Sequence, residues 1–153
     1  GLLGLRRGRD EVVMFVEYVA ALPGKLERVC LVAQSTQVTA AYAAISEALR
    51  HRFPGAEILD TICQSTRHRQ EEVEAMAEAV DAFVVVGGGH SANTRRLAEL
   101  ARSLKPTIHV QTADQLRAPE FEGCRTIGLT AGASTPTFII DEVRRALEAI
   151  DTA

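Results

Sequence analysis

The sequence predicts an α/β protein made of parallel-sheet βαβ lobes, one partial lobe followed by a more complete one. Three observations lead there. Short apolar runs such as Ala82-Phe83-Val84-Val85-Val86 recur along the chain, as expected of strands covered on both faces. Between them lie longer segments with apolar residues at helical spacing. Small polar turns stand where strand gives way to helix: Gln34-Ser35-Thr36, Asp60 through Gln70, Gly87 through Asn93, and Thr130 through Pro136. Strands alternating with helices imply parallel pairing with right-handed crossovers. Ligands then bind beyond the carboxyl ends of the strands, where these turns lie.

The elements follow in order. Residues 11–17 read as a short strand, and Val29-Cys30-Leu31-Val32-Ala33 as one buried on both faces. A helix is predicted over 38–52, stopped by Pro54-Gly55, with a strand over 56–59. Residues 66–80 form an amphipathic helix with Val73, Met76, Ala77 and Val80 on one stripe. The strand 82–86 leads to a helix over 92–104 with Leu97, Leu100, Ala101 and Leu104 inward. Strands follow at 107–110 and 126–130. The last helix covers 136–150, with Pro136 in its first turn. Residues 111–124 are the loosest stretch. A seam near residue 60 separates a region 1–60 from a region 61–153.

Composition narrows the function. The chain has 153 residues, 46% hydrophobic and 24% charged, with a net charge of −3. No basic field or aromatic platform speaks for nucleic acid. No apolar run approaches the ~20 residues of a membrane span. Gly1 through Gly8 has the charge order opposite to a secretory signal, and three cysteines without paired spacing fit a reducing compartment. The expected location is cytoplasmic.

Cys63 carries the sharpest chemistry. It stands at a helix start, where the anion is favoured, with Arg67, His68 and Arg69 nearby. A thiolate there suits iron or zinc, or acts as a nucleophile; the alternative is a small buried side chain. Cys30 and Cys124 read as packing residues. Ser91, Asn93 and Ser134 suit an anion, or equally cap helices. Glu71 and Glu72 fit a helix first turn, favoured by the macrodipole. His51 and His109 carry no motif; His68 and His90 sit in the polar turns.

Taken together, Thr61-Ile62-Cys63 with Thr66 and Arg69-Gln70, Gly87 with Ser91 and Asn93, and Thr130-Ala131-Gly132-Ala133-Ser134 resemble the 4-hydroxy-3-methylbut-2-enyl diphosphate reductase (LytB) family. The resemblance runs along the whole chain. It implies the last step of non-mevalonate isoprenoid synthesis, reductive loss of a hydroxyl to give isopentenyl and dimethylallyl diphosphates. It also implies a [4Fe-4S] cluster on three cysteines, one iron open toward the allylic diphosphate, with ferredoxin or flavodoxin as electron donor. Cys63 matches the third cluster cysteine. Ser91, Asn93 and Ser134 match diphosphate-holding positions. Ser35 and Thr36 match a hydroxyl pair at the substrate, usually two threonines, whose first member relays protons. Ala92 replaces a common second serine, and Gly88-Gly89-His90 replaces a more usual Ser-Lys-Asn. The family's other two cluster cysteines, its substrate-binding histidines and its His-Pro-Glu motif have no counterpart here. The resemblance therefore implies the C-terminal part of the enzyme: 1–60 from the middle lobe and 61–153 the C-terminal lobe.

Two other readings stay open at this level. One is a non-catalytic α/β module binding a phosphorylated ligand. The other is a thiol redox sensor using Cys63.

Overall fold

The computed structural model describes residues 16–26 and 28–150. The chain divides into two compact units, Gly1–Ile62 and Cys63–Ala153.

In the first unit, α1 (Val16–Ala21) precedes β1 (Cys30–Val32), α2 (Thr39–Arg52) and β2 (Glu57–Leu59). The two strands pair in parallel, Val32 opposite Leu59. Val19, Ile45 and Leu49 form the buried centre, with Leu22, Leu31 and Ile58 against it. Most of the strand expected over 11–17 lies outside the described residues, but Val16 and Glu17 open a helix instead. Val19 and Leu22 explain this: they pack into one cluster, whereas an extended chain would send residues three apart to opposite faces.

The β1 expectation also needs correction. Cys30 and Val32 are exposed, and only Leu31 between them packs inward. Cys30 is therefore not the packing residue its apolar neighbours suggested. Alternation supplies the reason, because the covered side of this two-stranded pair takes only every second residue. Thr61 ties the strand ends together. Its hydroxyl accepts from Ala33 N at 2.8 Å and donates to Ala33 O at 2.6 Å.

In the second unit, α3 (Gln64–Met76), β3 (Ala82–Val86), α4 (Ala92–Leu104), β4 (Thr107–Val110), β5 (Ile127–Ala131) and α5 (Thr137–Glu148) follow one another. Two short 3₁₀ turns interrupt the β4–β5 connection. The sheet order is β4-β3-β5, all parallel. Every residue of β3 is buried, because helices cover both its faces. Phe83 and Val85 pack with Val73, Ala77, Leu97 and Ala101. Val84 and Val86 face the other way, with Val110, Phe121 and Val143. This is the three-layer arrangement that an unbroken apolar strand predicts. Strand order reverses about β3, and in such sheets ligands bind beyond the carboxyl ends of the strands at that point.

Three details depart from the sequence reading. The α3 helix covers Gln64–Met76 rather than 66–80, and Glu71 and Glu72 lie in its middle, past the first turn, from whichever start the turn is counted. Glu72 instead meets Arg69 at 2.9 Å and His68 at 3.2 Å, exposed pairs of small energetic weight. Leu104 is 41% exposed rather than inward. A 13-residue helix spans about 20 Å, and the five-residue strand beneath it about 17 Å; the helix end overruns the packed face. Pro136 stands at the N-cap, just before α5 rather than in its first turn.

Candidate functional site

Three of the polar turns share one local design, a strand end closed by a backbone bond across four residues. Gln37 N donates to Gln34 O, Ser91 N to Gly88 O, and Thr135 N to Gly132 O, at 2.9, 3.0 and 2.9 Å. Ser35-Thr36, Gly89-His90 and Ala133-Ser134 occupy the corners.

Ser35 and Thr36 belong to the first unit. Ser35 is exposed. The Thr36 hydroxyl is buried and has no hydrogen-bond partner among the described residues.

The other two turns leave neighbouring parallel strands, since Val86 pairs with Ala131 at the ends of β3 and β5. The Ser91 side chain accepts from Thr94 N at 3.3 Å, so it caps α4. Capping uses its oxygen as acceptor and leaves the hydroxyl hydrogen free to donate to an anion. Asn93 does not cap. Its Oδ1 accepts from the Thr66 hydroxyl at 3.3 Å, which turns the amide so that its NH₂ group is the free end. Ser134 is exposed at its turn corner. The first N–H groups of α4 add donors of their own.

Gly87 opens the first of these turns. Its φ is +145°, a conformation open to glycine. Its N–H donates to Val110 O at 2.9 Å, and its carbonyl accepts from His109 Nε2, also at 2.9 Å.

Cys63 is exposed and stands at the N-cap of α3. Its Sγ lies 3.1 Å from the Ser65 hydroxyl. That hydroxyl, then the N–H groups of Ser65 and Thr66, hold the thiol below its ordinary range, with slight desolvation opposing. Thr66, three residues on, is the residue bonded to Asn93. The head of α3 and the head of α4 are thus joined. Alkylation of Cys63 by iodoacetamide, followed by peptide mass spectrometry against pH, has a midpoint below that of a free cysteine. Because a lowered pKa keeps the thiolate populated at lower pH, Ser65→Ala moves the midpoint upward. An unchanged midpoint in Ser65→Ala would show that the hydroxyl does not hold the anion.

The exposed thiolate at a helix N-terminus suits a soft metal. It supplies one ligand. Cys124 is not a second: it precedes β5, beside the amino ends of the strands, while the Ser91 and Ser134 turns follow carboxyl ends. Among the described residues, no group of three or more His, Cys, Asp or Glu side chains is placed to hold a metal ion.

A family model described as LytB protein matches residues 1–148. The chain belongs to the LytB family. A 4-hydroxy-3-methylbut-2-enyl diphosphate reductase from Opitutus terrae is 47% identical over 98% of this chain and 52% of that protein. One from Geobacter metallireducens is 42% identical over 100% of this chain and 54% of its own length. Among solved structures, the Plasmodium falciparum E-1-hydroxy-2-methyl-but-2-enyl-4-diphosphate reductase superposes with a TM-score of 0.84 at 25% identity. That match covers 93% of this chain and 46% of that one. The chain therefore spans about half the length of the LytB relatives it matches, with the same α/β architecture.

The sequence pointed to Cys63, Ser91, Asn93 and Ser134, and the structure places them around linked or adjacent turns of the second unit. It gave Thr135, like Ser134, either an anion-binding or a capping part, and it did not single out Thr94 or His109. Thr66 stood in the motif as a match but without a task; its bond to Asn93 supplies one. Nothing in the chain signals His109, whose place follows from the pairing of Val85 with His109 across β3 and β4.

Proposed function

We propose that this chain provides the diphosphate-holding turns and one cluster thiolate of a 4-hydroxy-3-methylbut-2-enyl diphosphate reductase, acting in isoprenoid synthesis. The Thr66–Asn93 hydrogen bond carries this reading. It ties the exposed Cys63 thiolate to the turn that offers Ser91 and Asn93 to an anion. The relatives' names specify a diphosphate substrate, and hydroxyl, amide and backbone N–H donors at helix heads suit that group.

In this reading Ser91, Asn93 and Ser134 donate to the diphosphate and orient it. No lysine or arginine is required in the contact set, because charge-assisted bonds and the helix N-terminus supply the stabilisation. Ser35 hands protons on, as a hydroxyl both accepts and donates, with Thr36 beside it at the substrate. Cys63 would hold one iron of a [4Fe-4S] cluster, whose remaining ligands lie outside the described residues. When bound, such a cluster supplies Lewis acidity and electrons, delivered to it by ferredoxin or flavodoxin.

Inorganic pyrophosphate titrated calorimetrically into the chain tests the cradle. A hydrogen bond to a charged group is worth about 1.5–3 kcal/mol, so Ser134→Ala weakens binding by about 10- to 100-fold. Asn93→Ala weakens it too, and also frees Thr66. Affinities equal to wild type in both variants would reject the diphosphate assignment.

A further inference from the structure

We infer that Thr94 is a positioning residue, a rigid spacer that sets the separation between the Ser91–Asn93 turn and the Ser134 turn; its functional consequence rests on the diphosphate reading of those turns.

Thr94 lies in the first turn of α4 and is 1% exposed. Its hydroxyl is sealed from solvent and has no hydrogen-bond partner among the described residues. What it does have is backbone on two sides. A Cβ added to Gly87 would lie 2.9 Å from Thr94 Oγ1, 3.0 Å from its Cγ2 and 2.7 Å from Thr135 Oγ1. A Cβ added to Gly132 would overlap the Thr94 hydroxyl. Thr94 is thus wedged between the first residue of one turn and the first residue of the other.

Everything else around the wedge is already fixed. Gly132 N and the Thr135 hydroxyl both donate to Val86 O, at 2.9 and 3.1 Å. Gly87 is held from β4 through Val110 O and His109 Nε2. The bonds from Gly132 and Thr135 reach Val86 and not Gly87 itself, and Thr94 fills the space left between Gly87 and Gly132. The Thr94 side chain is 1% exposed and packed against both glycines, so burial holds the gap to one width. The sealed hydroxyl contributes through its volume and not through a bond. Shape is what the position selects.

Thr94→Val therefore preserves the spacing, while Thr94→Ala removes both contacts with Gly87 and Gly132. Two measurements decide. In ¹H–¹⁵N spectra of the ligand-free chain, Thr94→Ala shifts the amides of both turns, 87–91 and 132–135, while the remaining strands keep their signals; Thr94→Val leaves both turns near their wild-type positions. In calorimetric titration with inorganic pyrophosphate, Thr94→Ala loses about tenfold in affinity, and Thr94→Val binds as wild type. A hydroxyl that worked through a hydrogen bond would not be rescued by a side chain that keeps the shape and loses the oxygen. Should Thr94→Ala not fold, Thr94→Ser, which keeps Oγ1 and loses only the Cγ2 beside Gly87, tests that side alone: it shifts the amides of 87–91 and leaves 132–135 near wild type. Amide shifts confined to α4, or a Thr94→Val that binds as poorly as Thr94→Ala, would overturn the spacer. If the wild-type chain fails to bind pyrophosphate, the diphosphate reading falls, and the amide comparison alone still decides the spacer.

Discussion

Phe83→Ala lowers the unfolding free energy of the second unit by about 3–5 kcal/mol. The side chain is fully buried in the middle strand of the sheet, against Val73, Ala77, Leu97 and Ala101. Its neighbour across β5 is Gly128, and a Cβ there would lie only 2.6 Å from the Phe83 ring. The ring therefore stands where a side chain on the facing strand would otherwise be. Removing it leaves a void that Gly128 cannot fill, which places the loss at the upper end for such substitutions. Against a typical total of about 5–15 kcal/mol, that is a large share of the unit's stability. Urea unfolding of the purified variant measures it. A loss below about 1 kcal/mol, the scale of a volume-conserving swap, would show that the core collapses around the gap.

The same strand shows what was legible in the sequence. Ala82–Val86 was readable to the residue because burial on both faces leaves an unbroken apolar run, and nothing else in the chain competes with it. α4 and β4 were equally plain, each bounded by its turn and by Pro106. Cys30–Val32 looked alike on paper but is covered on one side only, and no local pattern separates these two cases. α1 was misread because Val12, Val13, Phe15 and Val16 favour strands, while the packing of Val19 and Leu22 on one side is a tertiary fact.

The candidate site divides along the same line. Residues whose chemistry shows in their type and turn were visible: Cys63, Ser91, Asn93, Ser134. Those whose part depends on a neighbour from another strand were not. Thr94 reads as any helix threonine until Gly87 and Gly132 are brought against it. His109 reads as an unremarkable strand residue until register sets its ring against the Gly87 carbonyl.

The second large effect concerns Cys63. Its sulfur is exposed at the head of α3 and anionic at lower pH than a free thiol. Among the described residues, no group of three or more His, Cys, Asp or Glu side chains is placed to hold a metal without it. In the proposed cluster site, loss of this thiolate would remove a ligand that water cannot match. The groups proposed to hold the diphosphate, by contrast, lie at the head of α4 and on the β5–α5 turn, and are predicted to keep their positions when the sulfur is lost. Cys63→Ala therefore separates the two halves of the proposal: cluster retention falls while pyrophosphate binding stays.

The measurement that tests this most directly uses a chimera joining this chain to the part of the Opitutus terrae reductase that it does not span. After anaerobic reconstitution, iron and acid-labile sulfide are determined. The wild-type chimera is predicted to retain about four irons per chain, and the Cys63→Ala chimera almost none, both binding pyrophosphate alike. Full iron and sulfide in Cys63→Ala, or pyrophosphate binding with no iron in the wild-type chimera, would contradict the account.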